Sequence, residues 1–259
     1  MTNNQSDQVI TIKTAEEIEL LFQANQIVAG VLKLLESKIV AGISTFELDR
    51  LAEEYCLDHH GQPAFKGYRG YPASLCASVN EEVVHGIPSK KKVLKDGDII
   101  SLDFGVCFQG FYGDAAITVP VGAIDSLTAS LIATTRMALY KGIEQAIVGN
   151  RISDISKAVQ QVAENQGFSV VRQFVGHGIG NNLHEPPEIP NYVQRQASPR
   201  ILAGMVLAIE PMVNMGGAKV KILKDQWTVV TNDQQPSAHF EHSVAVTPKG
   251  PRILSELTN

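Results

Sequence analysis

Apolar and polar positions alternate most clearly between Ile99 and Val119, and this pattern predicts two β-strands joined as a hairpin. Gln109-Gly110 suits the tight turn between them, since glycine adopts positive φ freely. If the loop has an even number of residues, Asp103 and Asp114 share one face, with β-carbons roughly 5–8 Å apart. The hairpin contains no Lys or Arg. The pattern therefore leaves two interpretations open, an edge hairpin with solvated carboxylates or a divalent cation between them.

A helical period precedes the hairpin. Thr14 and Glu17 have capping-box spacing, and they start an apolar stripe made of Ile18, Leu21, Ile27, Val31 and Leu34. Ala41-Gly42 ends this helix, and a second helix is predicted to begin at Ser44 or Thr45. Residues 1–13 are polar and are expected to form a flexible N-terminal extension.

The second half of the chain repeats this plan. Helices are predicted over 130–147 and 155–166, followed by strands over 169–174 and 202–210. In both halves an acid, Asp103 or Glu210, stands six residues after a glycine at the end of an apolar run. A closing strand carries Asp114 in the first half and Glu241 in the second. We predict an α+β fold in which a curved antiparallel sheet with a pseudo-twofold repeat is covered by helices. Residues 14–259 would form one domain with halves of about 14–122 and 123–254.

Composition narrows the function classes. A net charge of −5 argues against a DNA-binding protein that works by bulk electrostatics. The N-terminal residues lack a secretory pattern, and no apolar run approaches the ~20 residues that span a bilayer. Three cysteines without CxxC spacing disfavour disulfides and a zinc finger, so we expect a reducing cytoplasm. The run from Lys90 to Lys92 is interpreted as a solvated turn rather than an RNA contact.

The internal repeat predicts that carboxylates and imidazoles from the two halves lie close together. It pairs Asp103 with Glu210, Asp114 with Glu241, and His85 with His177. Two divalent ions would balance these four carboxylates. Oxygen-rich ligation with a single imidazole suits manganese, iron(II), cobalt or zinc. Paired ions in hydrolases activate a water and polarise a carbonyl, so the pattern indicates dinuclear hydrolysis. His184-Glu185-Pro186-Pro187-Glu188 is not a zincin motif, since it lacks the second histidine and its prolines oppose a helix.

Several ordered motifs carry a family resemblance. They are Phe65 to Pro72 (FKGYRGYP), Ser78 to Pro88 (SVNEEVVHGIP), the Asp103–Asp114 pair, Gly176 to Gly180 (GHGIG), His184 to Pro187 (HEPP), Ile209 to Met212 (IEPM) and Phe240 to His242 (FEH). In this order and spacing, from about Lys13 to Leu254, the chain resembles the type I methionine aminopeptidases, which have the pita-bread fold. The resemblance implies removal of N-terminal methionine from nascent polypeptides whose second residue is small.

The resemblance also implies residue roles. Asp114 and Glu241 would bridge two divalent ions (cobalt, manganese, iron(II), zinc or nickel), Asp103 would chelate one, and His177 with Glu210 would complete the other. Glu210 would also shuttle the proton of the attacking water. His184 would donate to the scissile carbonyl oxygen, and His85 would contact the scissile nitrogen.

The resemblance further implies a substrate pocket. Tyr68, Tyr71, Cys76 and Trp227 match the family's pocket for a methionine side chain, for which soft, polarisable contacts are suitable. Asn80 and Ser237 would help to hold a monovalent cation. Leu183 and Asn182 depart from the common Phe and Gly, which leaves the shape of the pocket rim open. His59, His60, His239 and His242 gain no support and are interpreted as structural or surface residues.

Alternatives remain within the fold. An Xaa-Pro aminopeptidase or prolidase usually carries an extra N-terminal domain, whereas about thirteen residues precede the first predicted helix here. A type II enzyme would need an insertion between His184 and Glu241, and that stretch is too short. A catalytically dead binding module would have lost metal ligands. We expect a cytoplasmic monomer that binds no DNA or membrane, and we leave a transient ribosome contact open.

Overall fold

The computed structural model describes residues 9–258 of the chain. This part of the chain forms four α-helices, α1 (Ala15–Lys38), α2 (Thr45–Asp58), α3 (Ser126–Ile143) and α4 (Ile152–Asn165), and a 3-10 turn at Tyr68–Gly70. Its strands are β1 (Gln62–Pro63), β2 (Cys76–Val79), β3 (Glu82–Val84), β4 (Ile99–Phe108), β5 (Phe111–Pro120), β6 (Ser169–Val170), β7 (Gly176–Gly178), β8 (Glu185–Ile189), β9 (Val206–Ile209), β10 (Met212–Asn214), β11 (Val220–Ile222), β12 (Val229–Thr231), β13 (Ser237–His239), β14 (Glu241–Thr247) and β15 (Gly250–Ile253).

The predicted hairpin is confirmed as β4 and β5. Gln109 and Gly110 form its two-residue turn, and both have positive φ, 50° and 81°, as a type I′ turn requires. Asp103 lies opposite Ala116, and Gly105 lies opposite Asp114. Because opposed residues share a face, the two aspartates lie on the same face as diagonal neighbours.

The helix starts follow their caps. The Thr14 hydroxyl accepts from the Glu17 amide at 3.2 Å, and the Glu17 carboxylate accepts from the Thr14 amide at 2.8 Å, so the predicted capping box of α1 is confirmed. Helix α2 begins at Thr45, within the predicted range, and Ser44 caps it. Helix α3 begins four residues earlier than predicted because the Asp125 carboxylate accepts from the first free amides, and it ends at Ile143 instead of residue 147.

Three further elements have boundaries that differ from the prediction. Helix α4 begins at Ile152, three residues before the predicted start. The strand predicted over 169–174 is reduced to Ser169–Val170, because its partner β10 pairs with those two residues and the chain then leaves the sheet. The apolar run at 202–210 forms the shorter strand β9, which begins after the turn at Gly204.

A nine-stranded antiparallel sheet forms the body of the described chain. Its strand order is β1-β4-β5-β14-β9-β7-β8, with β2 also paired to β4 and β15 also paired to β14. Helix α1 packs on β4 and β5, while α3 and α4 pack together over the second-half strands. Strands β5 and β14 join the two parts through the pairs Ala116–Glu241 and Ala115–His242. The predicted helix-covered antiparallel sheet is therefore confirmed.

Helix α1 corrects one expectation from the sequence. By length and composition alone it could cross a membrane, since it has 24 residues and an 18-residue window with a mean hydropathy of 1.4. However, 56% of that window is buried inside the protein. The helix thus has the apolar content of a core helix, and Leu21, Val28 and Leu35 are fully buried.

The segment before α1 is anchored to the protein body. Of the predicted extension over residues 1–13, the structure describes Val9 to Lys13. The Lys13 amide donates to the Gly204 carbonyl at 2.8 Å, and its ammonium group forms a buried ion pair with Glu185. The expected flexibility therefore does not reach Lys13.

Candidate metal centre and substrate pocket

The register of the central strands lines up the first functional side chains. Cys76 in β2 lies opposite Asp103 in β4, which lies opposite Ala116 in β5, and Ala116 in turn lies opposite Glu241 in β14. These residues form one row across one face of the sheet. The small side chain of Ala116 separates the two acids, and Asp114 stands diagonally beside them.

Strands β7 and β9 bring the remaining ligands to the same face. His177 lies opposite Ala208, and Glu210 follows Ala208 by two residues. The distance from His177 Nε2 to Glu210 Oε1 is 3.5 Å. His177 Nδ1 lies 2.9 Å from the Gly178 carbonyl oxygen, which can only accept, so Nδ1 carries the proton. The lone pair of Nε2 is therefore available to a cation.

The structure brings all five predicted metal ligands together, and the donor set fits a divalent cation. One donor atom each from Asp114, His177 and Glu241 lie within 4.8 Å of one another. Buried oxygens of Asp103, Asp114 and Glu241 have no hydrogen-bond partner among the described residues. Buried carboxylates without compensation are costly, and divalent cations supply that compensation.

Burial also shifts the pKa values of these groups. It raises the pKa of Asp103 to about 7 and that of Glu210 to about 8. The pKa values of Asp114 and Glu241 rise well above the ordinary range, first through burial and then through the neighbouring carboxyl groups. Burial lowers the pKa of His177 to about 3, so its imidazole is a neutral ligand at physiological pH.

Helix α1 fixes the backbone around Asp114. The Asn25 side-chain carbonyl accepts from the Asp114 amide at 3.3 Å, and the Ser243 hydroxyl donates to the Asp114 carbonyl at 2.8 Å. Gly113 permits this approach, because a β-carbon there would lie 2.8 Å from the backbone of Ala24 and Asn25. The ligand is thus held from the helix side and from β14.

The carboxylates border a cavity of about 150 Å³. It is lined by Phe65, Tyr68, Arg69, Tyr71, Cys76, His85, Asp103, Asp114, His177, Leu183, His184, Glu210, Trp227 and Glu241. The rings of Tyr71 and Trp227 meet edge to face at 5.1 Å, and the Tyr71 hydroxyl lies 3.1 Å from the Leu75 and Gly86 carbonyl oxygens. All four predicted pocket residues therefore line one cavity. Leu183 also lines it, whereas Asn182 is exposed outside it.

The two predicted catalytic histidines also line this cavity. The Tyr68 hydroxyl lies 2.9 Å from His184 Nδ1, and the His184 ring stands 4.3 Å from that of His177. His85 has a left-handed backbone with φ of 59°, a conformation that is uncommon outside glycine and concentrated at functional sites. Burial lowers the pKa values of His85 and His184 to about 4, so both are neutral near pH 7.

A larger groove of about 400 Å³ lies between α1 and α3, and its lining includes Arg136, Tyr140 and His242. Among the predicted ligands Glu241 borders it, while the other four do not. The cation-binding chemistry within residues 9–258 is thus concentrated in the smaller cavity.

The other histidines divide into two groups. His59 stacks on Tyr55 at 4.0 Å, His60 is exposed, and His242 contacts Ser255 at 2.7 Å, which agrees with structural or surface roles. The sequence predicts such a role for His239 too, but the structure places it beside Glu210, with 3.6 Å between His239 Nε2 and Glu210 Oε2. Its position two residues before Glu241 in an extended segment was the available signal, because such residues share a face.

The predicted monovalent-cation residues are neighbours in the structure. The Ser237 amide donates to the Asn80 carbonyl at 2.9 Å, and Asn80 adopts a positive φ of 54°. A cation at this place stays a prediction.

Comparison with known proteins agrees with this geometry. Residues 19–248 match metallopeptidase family M24. The chain is 53% identical to a methionine aminopeptidase of Clostridium perfringens, covering 95% of this chain and 99% of that one, and 50% identical to methionine aminopeptidase 1 of Bacillus subtilis, covering 96% and 100%.

Solved structures show the same fold. A methionine aminopeptidase from Thermotoga maritima superposes with a TM-score of 0.94 at 45% identity, over 96% of this chain and 100% of that chain. A prolidase from Pyrococcus furiosus superposes with a TM-score of 0.78 at 21% identity, over 96% of this chain and 66% of that chain, which is a likeness of fold alone. The predicted pita-bread fold is confirmed. The chain belongs to metallopeptidase family M24 and, within it, to the methionine aminopeptidases.

Proposed function

We propose that this protein is a metal-dependent aminopeptidase that removes N-terminal methionine from nascent polypeptides with a small second residue. One observation carries the proposal. Four buried or half-buried carboxylates and the imidazole of His177 converge at one end of a cavity whose other walls include Tyr71, Cys76 and Trp227. Hydrolytic chemistry and an apolar side-chain slot thus lie side by side, as cleavage after one apolar residue requires.

The ligand set supports two divalent ions. Asp114 and Glu241 would be shared between them, Asp103 would hold one, and His177 with Glu210 would hold the other. Such ions supply an activated water and polarise the scissile carbonyl. The free α-amino group of the substrate would be recognised by this acidic metal centre.

Proton transfer falls to Glu210. Its carboxylate borders the cavity, where a carboxylate held beside the ions can act as a general base. A general base of this kind accepts the proton of the attacking water and delivers it to the leaving amine. This role is compatible with metal binding because an ionised carboxylate has about four lone-pair sites on its two oxygens.

His184 and His85 act on the substrate. The Tyr68 hydroxyl can donate to His184 Nδ1, which leaves Nε2 as the N–H that donates to the scissile carbonyl oxygen. The His85 ring lies edge-on to Trp227 at 6.1 Å, so its position is linked to the slot for the methionine side chain. From there it contacts the scissile nitrogen.

Peptide hydrolysis with added divalent ions tests the proposal. Met-Gly-Xaa should be cleaved at least tenfold faster than Met-Leu-Xaa, and Xaa-Pro peptides should resist cleavage. The metal-free protein should be inactive and should regain activity when Mn²⁺ or Co²⁺ is added. Preference for Xaa-Pro peptides would instead indicate a prolidase-like enzyme. No turnover with any divalent ion would indicate a binding module.

The identity and number of the ions need a separate measurement. We propose that two sites are filled with manganese, iron(II), cobalt, zinc or nickel in the cell. Elemental analysis of protein purified without added metal should find one of these elements, and titration of the metal-free protein should reach two ions per chain. A single equivalent at saturation would limit the site to one ion.

The cellular setting also belongs to this proposal. We propose a cytoplasmic monomer whose residues 14–259 work as one domain and which contacts the ribosome only transiently. The lysine run offers little free charge for a stable RNA contact, since Lys92 pairs with Glu82 and Lys90 lies 4.8 Å over the Phe46 ring. Sedimentation of the purified protein with and without ribosomes would test both the monomer and the contact.

A further inference from the structure

We propose that His239 is a positioning residue that holds the Glu210 carboxylate in place. This inference rests on the proposed function, because it assigns a residue to the same metal centre. His239 Nε2 lies 3.6 Å from Glu210 Oε2, while His177 Nε2 lies 3.5 Å from Glu210 Oε1. The carboxylate therefore lies between two imidazoles, one at each oxygen.

The environment of the buried His239 ring indicates that the ring has a specific role. The residue is 1% exposed, and both of its ring nitrogens lack a hydrogen-bond partner among the described residues. Buried polar groups are nearly always satisfied, and an exception calls for a physical explanation. A donor N–H facing a carboxylate oxygen provides one, because contacts of this kind tighten when a site is loaded.

The backbone around His239 is fixed on two sides. Its amide donates to the Thr118 hydroxyl at 2.9 Å, and that hydroxyl donates to the His239 carbonyl at 2.8 Å. His239 also lies opposite Met212, two residues beyond Glu210. The His239 ring is thus attached to a rigid strand beside the Glu210 carboxylate, so it can fix the orientation of that carboxylate.

The cavity geometry favours positioning over direct ligation. Glu210 and His177 line the cavity, whereas His239 is absent from its lining and stands behind it. Donor atoms of Glu210, His239 and Glu241 lie within 4.8 Å of one another, so ligation by His239 is the competing arrangement. In our proposal His239 Nε2–H donates to Glu210 Oε2, which leaves Oε1 on the side of His177 to face the cation.

Two substitutions separate these arrangements. His239→Leu removes the donor at similar volume, and His239→Gln retains an N–H donor. Calorimetric titration of the metal-free proteins with Mn²⁺ should show a 10- to 100-fold loss of affinity for His239→Leu, as is typical when a residue that orients a ligand is removed. His239→Gln should stay within about threefold of the wild type, because its amide can replace the N–H. The visible spectrum of the Co²⁺ form should change in the same order.

The melting temperature of the metal-free protein is the control for a merely structural role. His239→Leu should melt at or above the wild-type temperature, since it removes two unsatisfied buried nitrogens. Wild-type affinity for Mn²⁺ in His239→Leu would overturn the proposal. So would a Leu-like loss in His239→Gln, which would indicate direct ligation, or a lower melting temperature or misfolding of His239→Leu. If the wild type itself bound no Mn²⁺, the proposed function would fail instead.

Discussion

At the scale of single residues, the candidate metal centre contains side chains that destabilise the metal-free protein. Asp114 and Glu241 are 4% and 2% exposed, yet each has a buried oxygen without a hydrogen-bond partner within residues 9–258. Such groups are costly unless they are compensated. Both side chains border a cavity and lie outside the apolar cores under the helices. We therefore attribute their cost in stability to cation binding.

Asp114→Asn should separate stability from function. It should abolish hydrolysis and weaken Mn²⁺ binding at least 100-fold, because Asp114 is proposed to be shared by both ions. The metal-free variant should gain about 1–3 kcal/mol of unfolding free energy, since a buried acidic group is removed. Peptide assays, calorimetric titration and urea unfolding would measure these effects. The matched control Glu144→Gln alters an exposed carboxylate and should change none of them; activity retained in Asp114→Asn would refute the shared role.

The raised carboxyl pKa values predict how stability depends on pH. Asp103 and Glu210 have pKa values of about 7 and 8 in the folded metal-free protein, above the ordinary values near 4 of an unfolded chain. Between pH 7 and 8.5 the folded state therefore holds more protons than the unfolded state. Stability must then fall as pH rises, by about 1–2 kcal/mol per pH unit. The lowered histidine pKa values act below about pH 6.5, outside this window.

Urea unfolding of the metal-free protein at several pH values in this window would measure the slope. Saturating Mn²⁺ should flatten or reverse it, because the ion replaces the protons on the same carboxylates. The double variant Asp103→Asn/Glu210→Gln should make the slope shallower without metal, while Asp114 and Glu241, whose pKa values are also raised, should still contribute to it. A metal-free wild type whose stability does not change between pH 7 and 8.5 would contradict the assignment.

At the scale of elements, the contact between α1 and β5 positions the centre. Gly113 stands directly before Asp114, and the helix backbone at Ala24 and Asn25 lies where a β-carbon of residue 113 would be. The Asn25 side chain then reaches the Asp114 amide. Helix α1, which packs on β4 and β5, thereby fixes the position of Asp114, a predicted ligand on the opposite face of the sheet.

Gly113→Ala tests this contact. The added methyl group would lie 2.8 Å from backbone atoms that cannot rotate away, so the helix must shift. We expect a loss of about 1–3 kcal/mol in unfolding free energy, as for other overpacked cores, and weaker Mn²⁺ binding through the displaced Asp114. Gly217→Ala is the matched control, since its β-carbon would meet only an ordinary 3.6 Å contact with Asp233. Equal stability of the two variants would contradict the prediction.

The elements that sequence could predict are those that short-range chemistry determines. The β4–β5 hairpin and the capping box at Thr14 depend on alternation, on a two-residue turn and on one cap, all of which are local. Helix α3 starts before its predicted first residue because the Asp125 carboxylate caps it. Strand β6 is shorter than predicted because its length depends on its partner β10, which is distant in sequence.

The same distinction applies to the site. The internal repeat predicts that the four carboxylates lie together, whereas the roles of the five ligands and of the pocket residues rest on the family resemblance of the motifs. The place of His239 could not be predicted, because its neighbour Glu210 is brought near by the pairing of β10 with β13. A histidine between apolar residues is most often a structural one, and the sequence offers little to distinguish the two cases beyond its spacing from Glu241.

At the scale of the whole molecule, long-range contacts connect the first residues of the described chain to the site. Lys13 and Glu185 form a buried ion pair, with side-chain exposures of 2% and 7%. Glu185 follows His184 directly and also accepts from the Asn182 amide at 3.0 Å. The segment that carries His184, which we propose to be catalytic, is therefore anchored by a residue that precedes the first helix.

Lys13→Met should destabilise the protein by about 3–5 kcal/mol, because it leaves the Glu185 carboxylate buried without its partner. The double variant Lys13→Met/Glu185→Leu should recover most of this loss, since apolar replacement of both partners is often neutral. Chemical unfolding would measure both. Lys33→Met, which breaks an exposed pair with Glu36, should change stability by less than about 1 kcal/mol. A Lys13→Met protein as stable as this control would contradict the prediction.

The narrow connection between β5 and β14 has a consequence for how the chain reaches its native alignment. Two residue pairs, Ala116–Glu241 and Ala115–His242, join the two parts of the sheet. A slip of one residue along this seam would turn Glu241 towards α1 and α3 and bring His242 into its place. In this misaligned form the site would lack the Glu241 carboxylate, whose negative charge contributes to cation binding. Cation binding by side chains from both parts would thus stabilise the correct alignment alone. The metal would therefore favour the native pairing of β5 with β14 as well as supporting hydrolysis.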